Sequence, residues 1–239
     1  MPPLDVARFA RLFDHSILRP DAGPEEVGRF AGVAIRLGTA TLTVQPHYVQ
    51  FAAERLRGTG VRVGAVIAFP HGNETPAMKA FQAREVLDHG ADEIDMVMNI
   101  PALKGGKMAL FLRDIEGVVL AAHGKTVKVI LENCYLTQDE KRRACEWIAQ
   151  AGAQFVKTST GFAATGATVE DVRLMHEVVK GRCQVKASGG IRDIHQVMEY
   201  LKAGARRFGS SRSEELVLAF EELSRRDREA LAEYLPAPD

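Results

Sequence analysis

Short apolar runs alternate with stretches in which apolar residues recur every three or four positions, and the alternation persists along nearly the whole chain. The runs predict eight strands, near 14–18, 40–45, 61–68, 93–98, 126–132, 154–158, 183–187 and 206–209. The stretches between them, such as 76–89 and 139–150, carry helical periodicity. Four junctions share one layout: Gly38-Thr39-Ala40, Gly90-Ala91-Asp92, Gly152-Ala153-Gln154 and Gly204-Ala205-Arg206, at intervals of 52, 62 and 52 residues. Glycine just past a helix end is the usual left-handed cap, and a strand directly after it marks the joint between βα units. Each interval then holds two units. Eight alternating strands and helices predict a closed parallel (β/α)8 barrel, with residues 1–239 as a single domain. An open doubly wound sheet is the alternative, weakened because no G-x-G-x-x-G follows the first strand. Beyond the eighth strand, 213–220 and 222–235 predict a closing helix and one more, and 236–239 reads as a loose tail.

Two of the apolar runs carry a lysine near their end: Val156-Lys157-Thr158-Ser159-Thr160-Gly161-Phe162 and Val185-Lys186-Ala187-Ser188-Gly189-Gly190. A lysine inside an apolar strand needs a partner or a use for its neutral amine. At a reference pKa of about 10.4 it is neutral in roughly one molecule in 2,500 at pH 7, whereas at about 7 half of it is nucleophilic. Burial and a neighbouring ammonium both push in that direction. In a barrel the two lysines end adjacent strands on the carboxyl rim, where barrel enzymes carry their chemistry. Strand alternation turns Gln184, Lys186 and Ser188 inward, and Val185 and Ala187 towards the helices. In the fourth strand the apolar parity of Ile94, Met96 and Met98 leaves Asp95, Val97 and Asn99 facing the lumen. Asp95 can there pair with an ammonium and shuttle protons, or serve as a structural ion pair. Asp14 in the first strand joins the same network or pairs locally.

Gly189 and Gly190 close the seventh strand, and Gly209, Ser210 and Ser211 the eighth, the two loops that commonly form a barrel's phosphate site. The chain has 31 basic and 31 acidic side chains, a net charge of zero, so anion binding must be local and no global field favours nucleic acid or a membrane. Three cysteines without C-x-x-C spacing suggest neither a disulfide framework nor zinc, and the histidines lack metal-ligand spacing. No signal peptide or membrane-length apolar run is present, which points to a cytoplasmic protein. Glu132 and Asn133 end the fifth strand and carry rim hydrogen bonding as readily as catalysis, whereas His71, in the loop after the third strand, either reaches the site or is simply solvated.

The motifs around Lys157 and Lys186, together with Glu93-Ile94-Asp95-Met96-Val97 and Phe69-Pro70-His71-Gly72, resemble the deoxyribose-phosphate aldolases, and the resemblance runs from Asp14 through Ser211. It implies a class I aldolase that reversibly cleaves 2-deoxy-D-ribose 5-phosphate to D-glyceraldehyde 3-phosphate and acetaldehyde, with no metal or organic cofactor and with homodimers common among its members. Carried over by motif, Lys157 is the Schiff-base nucleophile, Lys186 the lysine that tunes it and Asp95 the carboxylate of the proton relay, with Thr158 supporting. The chain departs from the pattern at Arg19, Thr43 and Arg212, the last standing beside the expected phosphate contacts. A Schiff-base aldolase with another donor, and a barrel that only binds phosphosugars, are the competing readings.

Overall fold

The structure, a computed structural model, describes residues 4–226. After the short helix α1 (Val6–Ala10), the chain runs β1 (Phe13–Ile17), α2 (Pro24–Leu37), β2 (Thr41–Val44), α3 (Val49–Leu56), β3 (Arg62–Ile67), α4 (Pro76–Asp88) and β4 (Glu93–Val97). It continues through α5 (Ile100–Lys104), α6 (Met108–Ala121), β5 (Thr126–Ile130), α7 (Gln138–Gln150), β6 (Phe155–Lys157), α8 (Val169–Val179), β7 (Gln184–Ser188), α9 (Ile194–Lys202), β8 (Ala205–Ser210) and α10 (Ser213–Arg226). Every neighbouring pair of strands is parallel and β8 pairs with β1, so the barrel is closed in sequence order. All eight strands expected from the apolar runs are present, with ends shifted by no more than two residues.

Local chemistry explains the joints. Gly38, Gly90, Gly152 and Gly204 all have positive φ, between 67° and 111°, so each reverses the chain from a helix end into the next strand. At the opposite joints side chains cap the helices: Thr75 accepts from Met78 N, Thr168 from Asp171 N and Asp193 from His195 N, and Thr137 with Glu140 forms a capping box. Asn99, expected in the lumen, lies beyond the end of β4, where its side chain accepts from Ala102 N and caps α5.

The strands' outward faces, including Leu42, Ala65, Ile94, Met96, Val129, Val156 and Val185, pack with the helices into one continuous core. At the amino-terminal end, Phe9 of α1 stacks on Phe220 of α10 at 3.9 Å and meets Phe13 edge-on at 5.2 Å. The expected break between two closing helices does not occur, and α10 runs unbroken to Arg226. Neither glycine nor proline interrupts it, and Glu221 and Glu222 pair one turn on with Arg225 and Arg226. The rest of that second predicted helix, Tyr234 and the expected 236–239 tail lie outside the described residues.

One ion pair belongs to the outer layer. Lys79 of α4 donates to Asp114 of α6 at 2.6 Å and to the carbonyl of Val97 at 2.8 Å, with both charged side chains fully buried. Burial pushes the Lys79 amine down and the Asp114 carboxyl up, and each partner opposes the shift in the other. Removing one partner leaves the other stranded. Lys79→Ala is expected to cost about 3 kcal/mol or more in urea unfolding, and Lys79→Met with Asp114→Leu to recover most of it. A single-variant loss below about 1 kcal/mol would contradict this assignment.

Candidate active site

The barrel interior carries charge. Asp14 comes from β1, Glu93 and Asp95 from β4, Lys128 from β5, Lys157 from β6, Lys186 from β7 and Arg207 from β8. Lys157 and Lys186 are register partners on adjacent strands, as are Asp95 and Lys128. The Lys157 and Lys186 amines converge on one oxygen, Asp95 Oδ2, at 2.7 and 2.6 Å. Lys128 takes the other oxygen, Oδ1, at 2.8 Å, and also meets Glu93 at 2.7 Å and Asp14 at 3.2 Å. Asp14 further binds Lys186 and, at 2.6 Å, Arg207, whose guanidinium also reaches Glu93 at 3.1 Å. Inward-turned strand positions produce this convergence, because a parallel barrel brings alternate side chains of every strand to one axis.

Four cationic groups thus face three carboxylates in this buried network. The half-exposed Arg62, at the amino-terminal mouth, adds a further contact to Glu93 at 2.7 Å. The surrounding ammonium groups overcome burial and hold the Asp14 and Asp95 carboxyls well below the usual carboxylate range. The carboxylates likewise overcome burial at Lys128 and raise its amine above the usual lysine value. Lys157 goes the other way. Burial chiefly, then the ammonium groups of Lys186 and Lys128, push its pKa down to about 8 against the opposing pull of Asp95. The neighbouring charge expected from the sequence is therefore present, but burial contributes more. At a pKa of about 8, roughly one Lys157 amine in ten is neutral at pH 7.

Above the network lies a cavity of about 310 Å³ into which Lys157 opens. Its lining unites the expected loop residues Gly189, Gly190, Gly209, Ser210 and Ser211 with Lys157, and adds Ser16, Thr160, Phe162 and three arginines, Arg19, Arg192 and Arg212. Among the described residues no aspartate or glutamate lines it. Gly209 also serves the lysine layer, since a Cβ there would lie 3.1 Å from Lys186 Cε and 3.0 Å from the Ser188 Cβ. Ser210 is turned into its loop, accepting from Arg212 N at 3.0 Å and donating to Ile191 O at 3.4 Å, whereas Ser211 is exposed. Thr158 binds both the amide and the carbonyl of Ser188 at 3.1 Å, stitching β6 to β7. Glu132 has φ 55° and accepts from the Thr160 amide and hydroxyl, a rim-bracing role. His71 lines a separate cavity of about 270 Å³ with Glu132 and Phe162.

The sequence reading passed over Lys128, Glu93 and Arg207. Val127-Lys128-Val129 carries the signal used for the other two lysines, a cation between apolar neighbours in a strand. Glu93 shares the parity of Asp95. The three cysteines are free, and among the described residues no cluster of His, Cys, Asp or Glu is arranged to hold a metal.

A closed (β/α)8 barrel with a buried lysine opening into a cation-lined rim pocket has the layout of a barrel enzyme, and comparison with known proteins supplies the class. The chain belongs to the DeoC/LacD family of aldolases, whose profile matches residues 10–212. Among its relatives is a deoxyribose-phosphate aldolase of Staphylococcus epidermidis, 47% identical over 89% of this chain and 96% of that protein. One of Thermococcus gammatolerans is 48% identical over 88% of this chain and 94% of its own length. A solved structure described as a unique tetrameric structure of deoxyribose phosphate aldolase from Aeropyrum pernix superposes with a TM-score of 0.84 at 31% identity, covering 92% of this chain and 93% of that one.

The electrostatic reading predicts that the Lys157 side chain, followed by NMR of its labelled Cε, titrates near pH 8. It loses its proton as pH rises through that value, so the nucleophilic fraction grows roughly tenfold per pH unit below it and saturates above. Lys186→Leu removes an ammonium and is expected to move the inflection upwards. A wild-type inflection above about 10, that of an ordinary lysine, would contradict the reading.

Proposed function

We propose that this protein is a class I aldolase that reversibly cleaves 2-deoxy-D-ribose 5-phosphate into D-glyceraldehyde 3-phosphate and acetaldehyde through a Schiff base on Lys157, in deoxynucleoside breakdown. The observation that carries the proposal is the position of Lys157, with its amine on Asp95 below and a cationic pocket above. In the cleavage direction the neutral amine attacks C1 of the open-chain sugar. Loss of water from the carbinolamine leaves an iminium, an electron sink for the C2–C3 bond.

Asp95 and Lys186 then manage the protons. The Asp95 carboxylate, held ionised by three ammonium groups, stabilises the iminium charge and accepts protons through a bridging water. As the C2–C3 bond breaks, the C3 hydroxyl yields its proton and becomes the aldehyde of glyceraldehyde 3-phosphate. The electron pair moves onto C2 to give an enamine, which takes a proton at C2 to become the methyl end of the acetaldehyde imine. Addition of water releases acetaldehyde and restores the Lys157 amine. Lys186 supplies and recovers the proton, with its ammonium set between Asp14 and Asp95 by β7. Lys128 and Arg207 hold these two carboxylates in place from below.

The terminal phosphate of the sugar is assigned to the rim pocket, where the backbone of Gly189 and Gly190 and the arginine side chains face a volume that no carboxylate lines among the described residues. The chain's zero net charge makes this local concentration of cations the feature that selects an anion. Among the described residues no helix is long and apolar enough to cross a membrane.

Incubation with acetaldehyde and borohydride is expected to convert one lysine to N-ethyl-lysine, located at Lys157 by peptide mapping and lost in Lys157→Leu. A Lys186→Leu variant should still trap, with its optimum at higher pH. Trapping on another lysine, or an undiminished yield in Lys157→Leu, would defeat the assignment. Cleavage of a dihydroxyacetone-derived phosphosugar in preference to deoxyribose 5-phosphate would keep the Schiff base and reject the substrate.

A further inference from the structure

The three arginines of the rim pocket are not equivalent. Arg19 is held by two carboxylates, Asp21 at 3.2 Å and Glu26 at 2.6 Å. The Arg192 guanidinium has no ion-pair partner among the described residues. Arg212 has one, Glu215, three positions on in the first turn of α10. That pair is solvent-exposed, 47% and 58% on its two sides, where water and salt screen the attraction and its net strength is small. The Arg212 backbone, by contrast, is fixed. Its amide donates to Ser210 Oγ, and Ser213 Oγ ties the start of α10 back to Ser210 O at 3.1 Å.

We propose that Arg212 is a specificity-determining residue of this pocket, which releases Glu215 to close on the terminal phosphate of the substrate. The inference rests on the pocket being the phosphate site of the proposed reaction. A phosphate dianion carries more charge than a carboxylate and matches the planar guanidinium fork with two parallel hydrogen bonds. It also enters a volume that no acid lines among the described residues. A terminal hydroxymethyl group offers nothing that displaces Glu215. Arg212 therefore distinguishes phosphorylated from unphosphorylated sugars, and Glu215 acts as a built-in competitor that keeps the cation at the rim while the pocket is empty. Glu214, its neighbour, pairs with Arg36.

The test compares kcat/KM for 2-deoxyribose 5-phosphate and for 2-deoxyribose in the wild type, Arg212→Ala, Arg212→Lys, Glu215→Gln and the Arg212→Ala/Glu215→Gln double variant. Arg212→Ala is expected to lower the ratio of the two values about tenfold, through KM for the phosphosugar, the effect of losing a charge-assisted hydrogen bond. Arg212→Lys keeps part of the preference, because the charge remains and the fork is lost. Freeing the arginine in Glu215→Gln raises the ratio about threefold, the scale of an exposed ion pair. In the Arg212→Ala background the same change has no effect. An unchanged ratio in Arg212→Ala, or an equal gain from Glu215→Gln in both backgrounds, would overturn the inference while leaving the aldolase reading intact. A wild-type protein that cleaves neither sugar would overturn both.

Discussion

The structure depends on one constraint, that ammonium and carboxylate groups brought to the axis of a closed barrel must satisfy one another without water. Asp95 is the hinge of that arrangement. One of its oxygens serves Lys157 and Lys186 together and the other serves Lys128. A buried ion pair gains little over a hydrophobic alternative, so such a network is costly as a means of stability alone. Its return lies in what it does to one member. With four cationic groups on three carboxylates, the proton that leaves most readily belongs to the lysine with the fewest partners, Lys157, which touches only Asp95 and opens upwards into the pocket.

The same geometry divides labour along the barrel axis. At the bottom, Arg207 and Lys128 tie Glu93 and Asp14 into a fixed base. At mid-height, Asp95 and Lys186 form the proposed proton relay. At the rim, glycine loops and arginines line the cavity proposed to take the phosphate. Each level rests on the one beneath, and register pairing between β4, β5, β6 and β7 sets their vertical order. The Thr158 bridge to Ser188 and the Glu132 bridge to Thr160 brace the rim on either side of Lys157.

Most of this was legible in the amino-acid order. The cap glycines and apolar runs foretold the strands because helix ends and buried strands have strong local signals. Lys157, Lys186 and Asp95 stood out because a charge in an apolar run is rare. Lys128 carried the same signal and was passed over, since nothing nearby in sequence marked its role. Its importance comes from contacts with Asp14 and Asp95 on other strands, which only closure creates. The continuation of α10 past Phe220 reflects a weaker signal, because apolar spacing alone does not separate one long helix from two short ones. The three guanidiniums of the pocket come from loops far apart in sequence, so their convergence needed the fold.

The central claim is that the barrel interior leaves one lysine able to give up its proton while its neighbours keep theirs. Neutron diffraction from deuterated crystals held near pH 9, where about nine in ten Lys157 amines are neutral, tests it most directly, because it counts deuterons on each nitrogen. The account predicts an ND2 group on Lys157 and an ND3 group on Lys128. Three deuterons on Lys157, or two on Lys128, would contradict it.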